Sequence, residues 1–176
     1  EYYLCKHTLK PRLTKGVIMR WKPNVTVASI VEQNGLFLMV EENTRDGIRL
    51  NQPAGHLDEH EALIAACIRE TQEETAYHVQ VNALLGVYRW YTPVKDITYM
   101  RFAFVADVLS FNASQPLDDG IIRALWLSPE ALQARRADWR SPLVGQCVQD
   151  YLAGVRYPLT LLQDFGVMAD DVPILF

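Results

Sequence analysis

Between two groups of strand-like runs the chain has one stretch, Glu59 to Ala76, with neither proline nor glycine, and it sets Ile64, Cys67, Ile68 and Thr71 at helical spacing. This pattern predicts an amphipathic helix over 59–76 with Asp58 as its N-cap. Upstream, VTVASIV and GLFLMV are short β-branched or apolar runs joined through Glu32-Gln33-Asn34-Gly35, whose Asn-Gly pair signals a β-hairpin. Thr44 to Gly47 then reads as a polar loop, and LNQPAGHLD, with Pro53 and Gly55, as an irregular, tightly turned segment. Downstream, VQVNALLGVYRWY and ITYMRFAFVADVL are longer runs expected to be strands, parted by a turn at Pro93 to Asp96. A short strand is expected around Ala124 to Leu127. Ser128-Pro129-Glu130 opens a helix, with Ser as cap and Pro at its first position. A last helix is expected from Pro142 to about Ala153, and the apolar tail from Tyr157 should pack back on the body. A helix with one apolar stripe, flanked by strands on both sides, has to bury that stripe on a sheet. The fold class is therefore α+β, a mixed sheet with helices on its faces.

With 176 residues, 49% of them apolar and only 22% charged, the chain reads as one packed domain rather than a disordered one. No apolar run approaches the roughly 18 to 20 residues of a membrane span. The net charge is −4, but Lys6, Lys10, Arg12, Lys15, Arg20 and Lys22 stand against Glu1 alone in the first 22 residues, which leaves eleven basic against twenty acidic residues, −9, for the rest. So acidic a body repels a phosphate backbone, which argues against a nucleic-acid polymer as partner. Small phosphorylated ligands remain open to it through bound cations. Residues 1–20 read as an extension of the domain that spans 21–176, with Met19 a candidate start. Cys5, Cys67 and Cys147 are an odd, scattered set that indicates neither a disulfide framework nor a zinc site and suits a reducing, cytoplasmic setting.

The chemistry sits in the helix. At about 100° of rotation per residue, Glu70, Glu73 and Glu74 fall within an arc of roughly 100°, and the buried stripe is centred about 110° away. Three carboxylates thus share a patch that borders the core. Their mutual repulsion is destabilising unless something neutralises it, and a hard divalent cation such as Mg²⁺, which takes oxygen ligands and substrate phosphates together, does so. Glu-rich helices are common, so the fragment alone is weak evidence.

The wider spacing is more specific. Gly55, five residues, Glu61, seven residues, then Arg69-Glu70-x-x-Glu73-Glu74 resembles the signature of the Nudix hydrolases, GX5EX7REUXEEXGU, at all six glycine or charged positions up to Glu74. Thr71 and Tyr77 stand at aliphatic sites of that signature, and Ala76 replaces its glycine. An alanine there would strain a left-handed helix end, so the helix is expected to run on or end differently. Trp21-Lys22-Pro23, the segment from Asn51 to Leu57, Arg140-Ser141-Pro142-Leu143-Val144 and Arg156-Tyr157-Pro158-Leu159 further resemble the NudJ-type phosphatases of that superfamily.

The resemblance implies a Nudix-type α/β/α sandwich with a mixed sheet, and water attack at phosphorus in nucleoside tri- and diphosphates, hydroxymethylpyrimidine pyrophosphate or thiamine pyrophosphate. It implies Mg²⁺, or Mn²⁺, held by Glu70, Glu73 and Glu74 with the Gly55 carbonyl or a neighbour, Glu73 or Glu70 as base, and Arg69 and Glu61 positioning the carboxylates. A further acid before the strand ending in Trp126 would be Asp119 rather than Asp118. Trp90, alternating with Tyr88, is a candidate to stack a base, and Arg101 to reach a phosphate; sheet core is the competing role for the aromatics. His56 is a candidate for substrate contact or a structural hydrogen bond. Pro93, sixteen residues past the box, keeps open the alternative of an ADP-ribose or dinucleotide pyrophosphatase. A non-catalytic nucleotide-binding regulator would require loss of a box carboxylate, and none is lost. Monomer and homodimer are both open.

Overall fold

The computed structural model describes residues 21–165, so the extension at 1–20 and the end of the tail lie outside the described residues. The elements run β1 (Asn24–Gln33), β2 (Leu36–Thr44), β3 (Gly47–Asn51), β4 (Ala54–His56), α1 (Leu63–Thr75), β5 (Tyr77–Thr92), β6 (Ile97–Phe111), β7 (Ile121–Leu127), α2 (Pro129–Ala134) and α3 (Leu143–Leu152), with single 3₁₀ turns at Arg136–Asp138 and Leu159–Leu161. None of the described helices is long and apolar enough to cross a membrane.

The expected hairpin joins β1 to β2, with Asn34 and Gly35 both at positive φ (54° and 81°), the backbone a primed two-residue turn requires. The strand order is β3-β2-β1-β6-β5, with β4 on β1 and β7 on β2; β1 and β6 are parallel and the other pairs antiparallel. Alternation along these strands sends Val27, Val31, Phe104 and Ala106 to a core under α1, and Ile30, Ala103 and Val105 to a core under α3. The sheet is therefore covered on both faces, as the α/β/α reading required. Tyr157 exchanges backbone hydrogen bonds with Leu84, and Leu159 and Leu162 pack beneath α1, so the described tail does fold back.

Three local expectations are corrected. The segment LNQPAGHLD is not wholly irregular, because β3 takes Leu50 and Asn51 and β4 takes Ala54 to His56, leaving Gln52 and Pro53 between them and Leu57 and Asp58 beyond. α1 starts at Leu63, not Glu59: His60 sits at φ +67°, outside the helix, and Ala62, not Asp58, precedes the first turn. The helix also ends where the family glycine would end it, with Ala76 itself left-handed (φ 61°, ψ 11°) and its N–H donating to the Gln72 carbonyl. That backbone costs an L-residue roughly 1–2 kcal/mol. It is held because the loop ahead of β7 docks on the same helix end: Gln115 Nε2 donates to the Gln72 carbonyl and the Asp118 N–H to that of Glu73. Thr71, the other departure, is fully buried, and its hydroxyl lies 2.7 Å from both Ser29 Oγ and the Cys67 carbonyl, so a buried serine of β1 matches the polar group that replaces an aliphatic one.

Candidate active site

The loop after β4 and the second half of α1 are knit by one side chain. Arg69 Nε and Nη2 donate to the two oxygens of Glu61, Nη1 donates to Glu70 Oε1 (2.8 Å) and Glu73 Oε2 (2.9 Å), and Nη2 also reaches the His56 carbonyl (3.2 Å). Hydrogen bonds from Arg69 hold the Glu61 carboxyl below the usual range. Arg69 and Glu61, expected as positioning residues, are thus joined to each other, and Arg69 to both Glu70 and Glu73. The His56 carbonyl makes the structural hydrogen bond, while its ring tilts toward Tyr99 (centroids 6.4 Å apart) and His56 lines the cleft shared by Glu70 and Glu74.

The three helix carboxylates do not stand equivalently. Glu70 and Glu74 line one cleft of about 780 Å³ with Gly55, while Glu73 lies with Glu61 and Arg69 along the adjoining surface. Glu74 Oε2 accepts the Ala54 N–H at 2.8 Å. Among the described residues no three acidic, histidine or cysteine side chains stand together as a metal-holding group: Arg69 Nη1 joins Glu70 to Glu73, while Glu74 turns to the Ala54 N–H.

Electrostatics nonetheless mark the pair that faces the cleft. Burial pushes the Glu74 carboxyl up to about 8, and the charges of Glu70, Glu42 and Asp118 push the same way. Burial also raises Glu70, against the pull of Arg69. Gly55 passes so close that a Cβ there would lie 2.0 Å from Glu70 Oε2. Two crowded carboxylates with hard oxygen donors, against a backbone that leaves room for no side chain, fit a divalent cation of the Mg²⁺ kind.

Of the other expected site residues, Trp90 lines the cleft and stacks on Tyr99 (centroids 5.5 Å apart, planes at 20°). Tyr88 does not join it: its ring packs into the core under α3 and its hydroxyl donates to Asp150. Arg101, opposite Tyr88 on β6, is 7% exposed, lines the cleft, and has Nε and Nη1 without hydrogen-bond partners. Asp118 and Asp119 are both exposed, and it is Asp118 whose charge acts on Glu70 and Glu74. Glu42 and Asn51, which the sequence reading passed over, also line the cleft. Their signal was present only as polar residues within runs that turn out to be strands.

The NUDIX domain family model matches residues 20–146. Phosphatase NudJ of Shigella boydii serotype 4 (strain Sb227) is 38% identical over 146 residues, covering 83% of this chain and 94% of the relative, and Phosphatase NudJ of Escherichia coli (strain K12) matches to the same extent. Among solved structures, a NUDIX hydrolase from Nitrosomonas europaea superposes with a TM-score of 0.80 at 48% identity, covering 82% of this chain and 98% of that one. With the box geometry, the sandwich fold and these relatives in agreement, the chain belongs to the Nudix family and is a hydrolase similar to the NudJ phosphatases.

Proposed function

We propose that this hydrolase cleaves phosphoanhydrides by water attack at phosphorus with the help of Mg²⁺, or Mn²⁺, acting on nucleoside tri- and diphosphates and on hydroxymethylpyrimidine or thiamine pyrophosphate with release of orthophosphate. The observation that carries this reading is that the carboxyl groups of buried Glu70 and half-buried Glu74, both raised by burial, share one cleft with the unpartnered donors of Arg101. Glu70 and Glu74, with Glu73 and a carbonyl near Gly55, would hold the cation. When bound it supplies positive charge against the phosphate oxygens and a lowered pKa for water.

The chain's own residues do the rest. Arg101 donates from the cleft floor to an anionic oxygen of the substrate, and Trp90 offers a flat face to its organic part. Arg69, anchored by Glu61, fixes Glu70 and Glu73 in orientation, a supporting task that commonly matters tenfold or more. The proton of the attacking water goes to Glu70 or Glu73, of which Glu70 alone lines the cleft. Asp118, through its charge on both cleft carboxylates, replaces Asp119 as the loop acid of the proposal.

A second reading, cleavage between the two phosphates of ADP-ribose or a dinucleotide, draws on another hollow of about 490 Å³ that shares Trp90, Arg140 and Ser141 with the cleft. A two-part substrate needs two such rooms. Incubation with Mg²⁺ and a panel of nucleotides, the two pyrophosphates and ADP-ribose separates the readings: orthophosphate from terminal positions supports the first, and AMP plus ribose phosphate supports the second.

A further inference from the structure

Part of the cleft is left unexplained by phosphate chemistry. Among the described residues, Arg101 Nε and Nη1, Glu42 Oε1, Asn51 Oδ1 and, away from the cleft lining, Gln52 Oε1 are buried side-chain atoms without a hydrogen bond. Arg101 and Asn51 are 7% and 6% exposed, and with Glu42 they line the same cleft. A buried polar group left without a partner is destabilising. Four such atoms around one cleft mark a place shaped for a partner that folding does not supply.

The signs of these atoms restrict that partner. Arg101 only donates, and a phosphate oxygen or a ring acceptor satisfies it equally. Burial raises the Glu42 carboxyl, against the charges of Arg140 and Arg101 and a contact from Asn51; as a carboxylate it only accepts, as does the Asn51 oxygen, and a phosphate repels it. Both oxygens call for N–H groups. Their placement is fixed: the other oxygen of Glu42 takes Arg140 Nη1 at 3.1 Å, and Glu42 and Asn51 lie on the paired strands β2 and β3, opposite Arg49 and Val40 respectively. The flat wall of the same cleft is Trp90, already stacked on Tyr99.

We propose that Glu42 and Asn51 read an exocyclic amine on a flat nitrogen heterocycle, with Arg101 taking an acceptor of the same molecule and Trp90 its face. The enzyme then prefers phosphoanhydrides of amine-bearing rings over those of their oxo counterparts. This assignment rests on the phosphohydrolase reading and adds to it a substrate class and two specificity residues that take no part in bond breaking.

The test compares kcat/KM for CTP against UTP and for ATP against ITP, two pairs in which an amine is exchanged for an oxygen, with inorganic tripolyphosphate as a phosphoanhydride that has no ring. In whichever pair is turned over faster, the amine member is expected to lead by about tenfold or more, the scale on which a site built to bond a polar group rejects its mismatch. Glu42→Gln, which presents a donor in place of an acceptor, is expected to bring that ratio to about one or below. Asn51→Leu should lower it as well and serves if the first variant does not fold. Equal constants within the pairs, or hydrolysis of tripolyphosphate alone, overturn the amine reading and leave the hydrolase standing. A wild-type preference that survives in both variants overturns the assignment to Glu42 and Asn51. No hydrolysis of any of these compounds overturns the nucleotide part of the phosphohydrolase reading and the amine assignment with it.

Discussion

Arg69 holds Glu61 through two parallel hydrogen bonds, Nε to Oε1 and Nη2 to Oε2, each 2.8 Å long. The fork fixes the guanidinium so that its remaining nitrogen can reach Glu70 and Glu73 together. Lysine cannot reproduce a planar fork. Arg69→Lys is therefore expected to lower kcat by about 10- to 100-fold while circular dichroism shows an intact fold. Turnover within twofold of wild type would mean that the carboxylates are positioned without it.

Gly55→Ala should leave the chain folded and nearly inactive. Its added methyl would collide with the end of one flexible side chain, the carboxylate of Glu70, rather than with backbone, so the collision is relieved by turning Glu70 away. Loss of turnover by about a hundredfold or more is expected, on the scale of losing a group that acts in the transition state. Normal phosphate release from a folded variant would remove Glu70 from the site.

Glu73→Gln tests the carboxylate outside the cleft. It retains a contact for Arg69 but neither charge nor basicity, and turnover is expected to fall by at least about a hundredfold at unchanged melting temperature. Near-normal rates would leave Glu70 as base and confine Glu73 to anchoring Arg69.

Glu74 links the site to pH. Its folded pKa of about 8 lies above the ordinary 4.5, so between these values the folded chain keeps a proton that the unfolded chain has lost. The stability tied to this group is complete below 4.5 and is lost as pH rises through about 8. With chelator present, the melting temperature of wild type should therefore decline across that window more steeply than that of Glu74→Gln. Identical profiles for the two proteins would show that the carboxyl is not buried as described.

What could be read from the chain alone was whatever local chemistry decides. Asn34-Gly35 announced the hairpin because few other pairs tolerate two positive φ angles, and Ser128-Pro129 announced α2, whose cap accepts the Ala131 N–H as expected. The box spacing set apart Glu61, Arg69, Glu70 and Glu73, which the structure joins through the Arg69 guanidinium. Features settled by tertiary contact were not legible. Glu61 is drawn out of the helix by Arg69 and the Asp58 N–H, so the first residues of the Pro- and Gly-free stretch are loop. Ala76 adopts a glycine's backbone because a distant loop docks on the helix end. Glu42 and Asn51 look like ordinary strand polars until the cleft is assembled around them, and whether Asp118 or Asp119 acts on the glutamates depends on a loop path that no local signal sets.

The most direct test is calorimetric titration of Mg²⁺ into the protein, with and without a non-hydrolysable nucleotide, for wild type and for Glu74→Gln. Saturable uptake by wild type, weakened by about tenfold or more in the variant, is expected if these buried carboxylates are there to be neutralised by a divalent ion. Equal uptake by both proteins, or none by either in any condition, would contradict it.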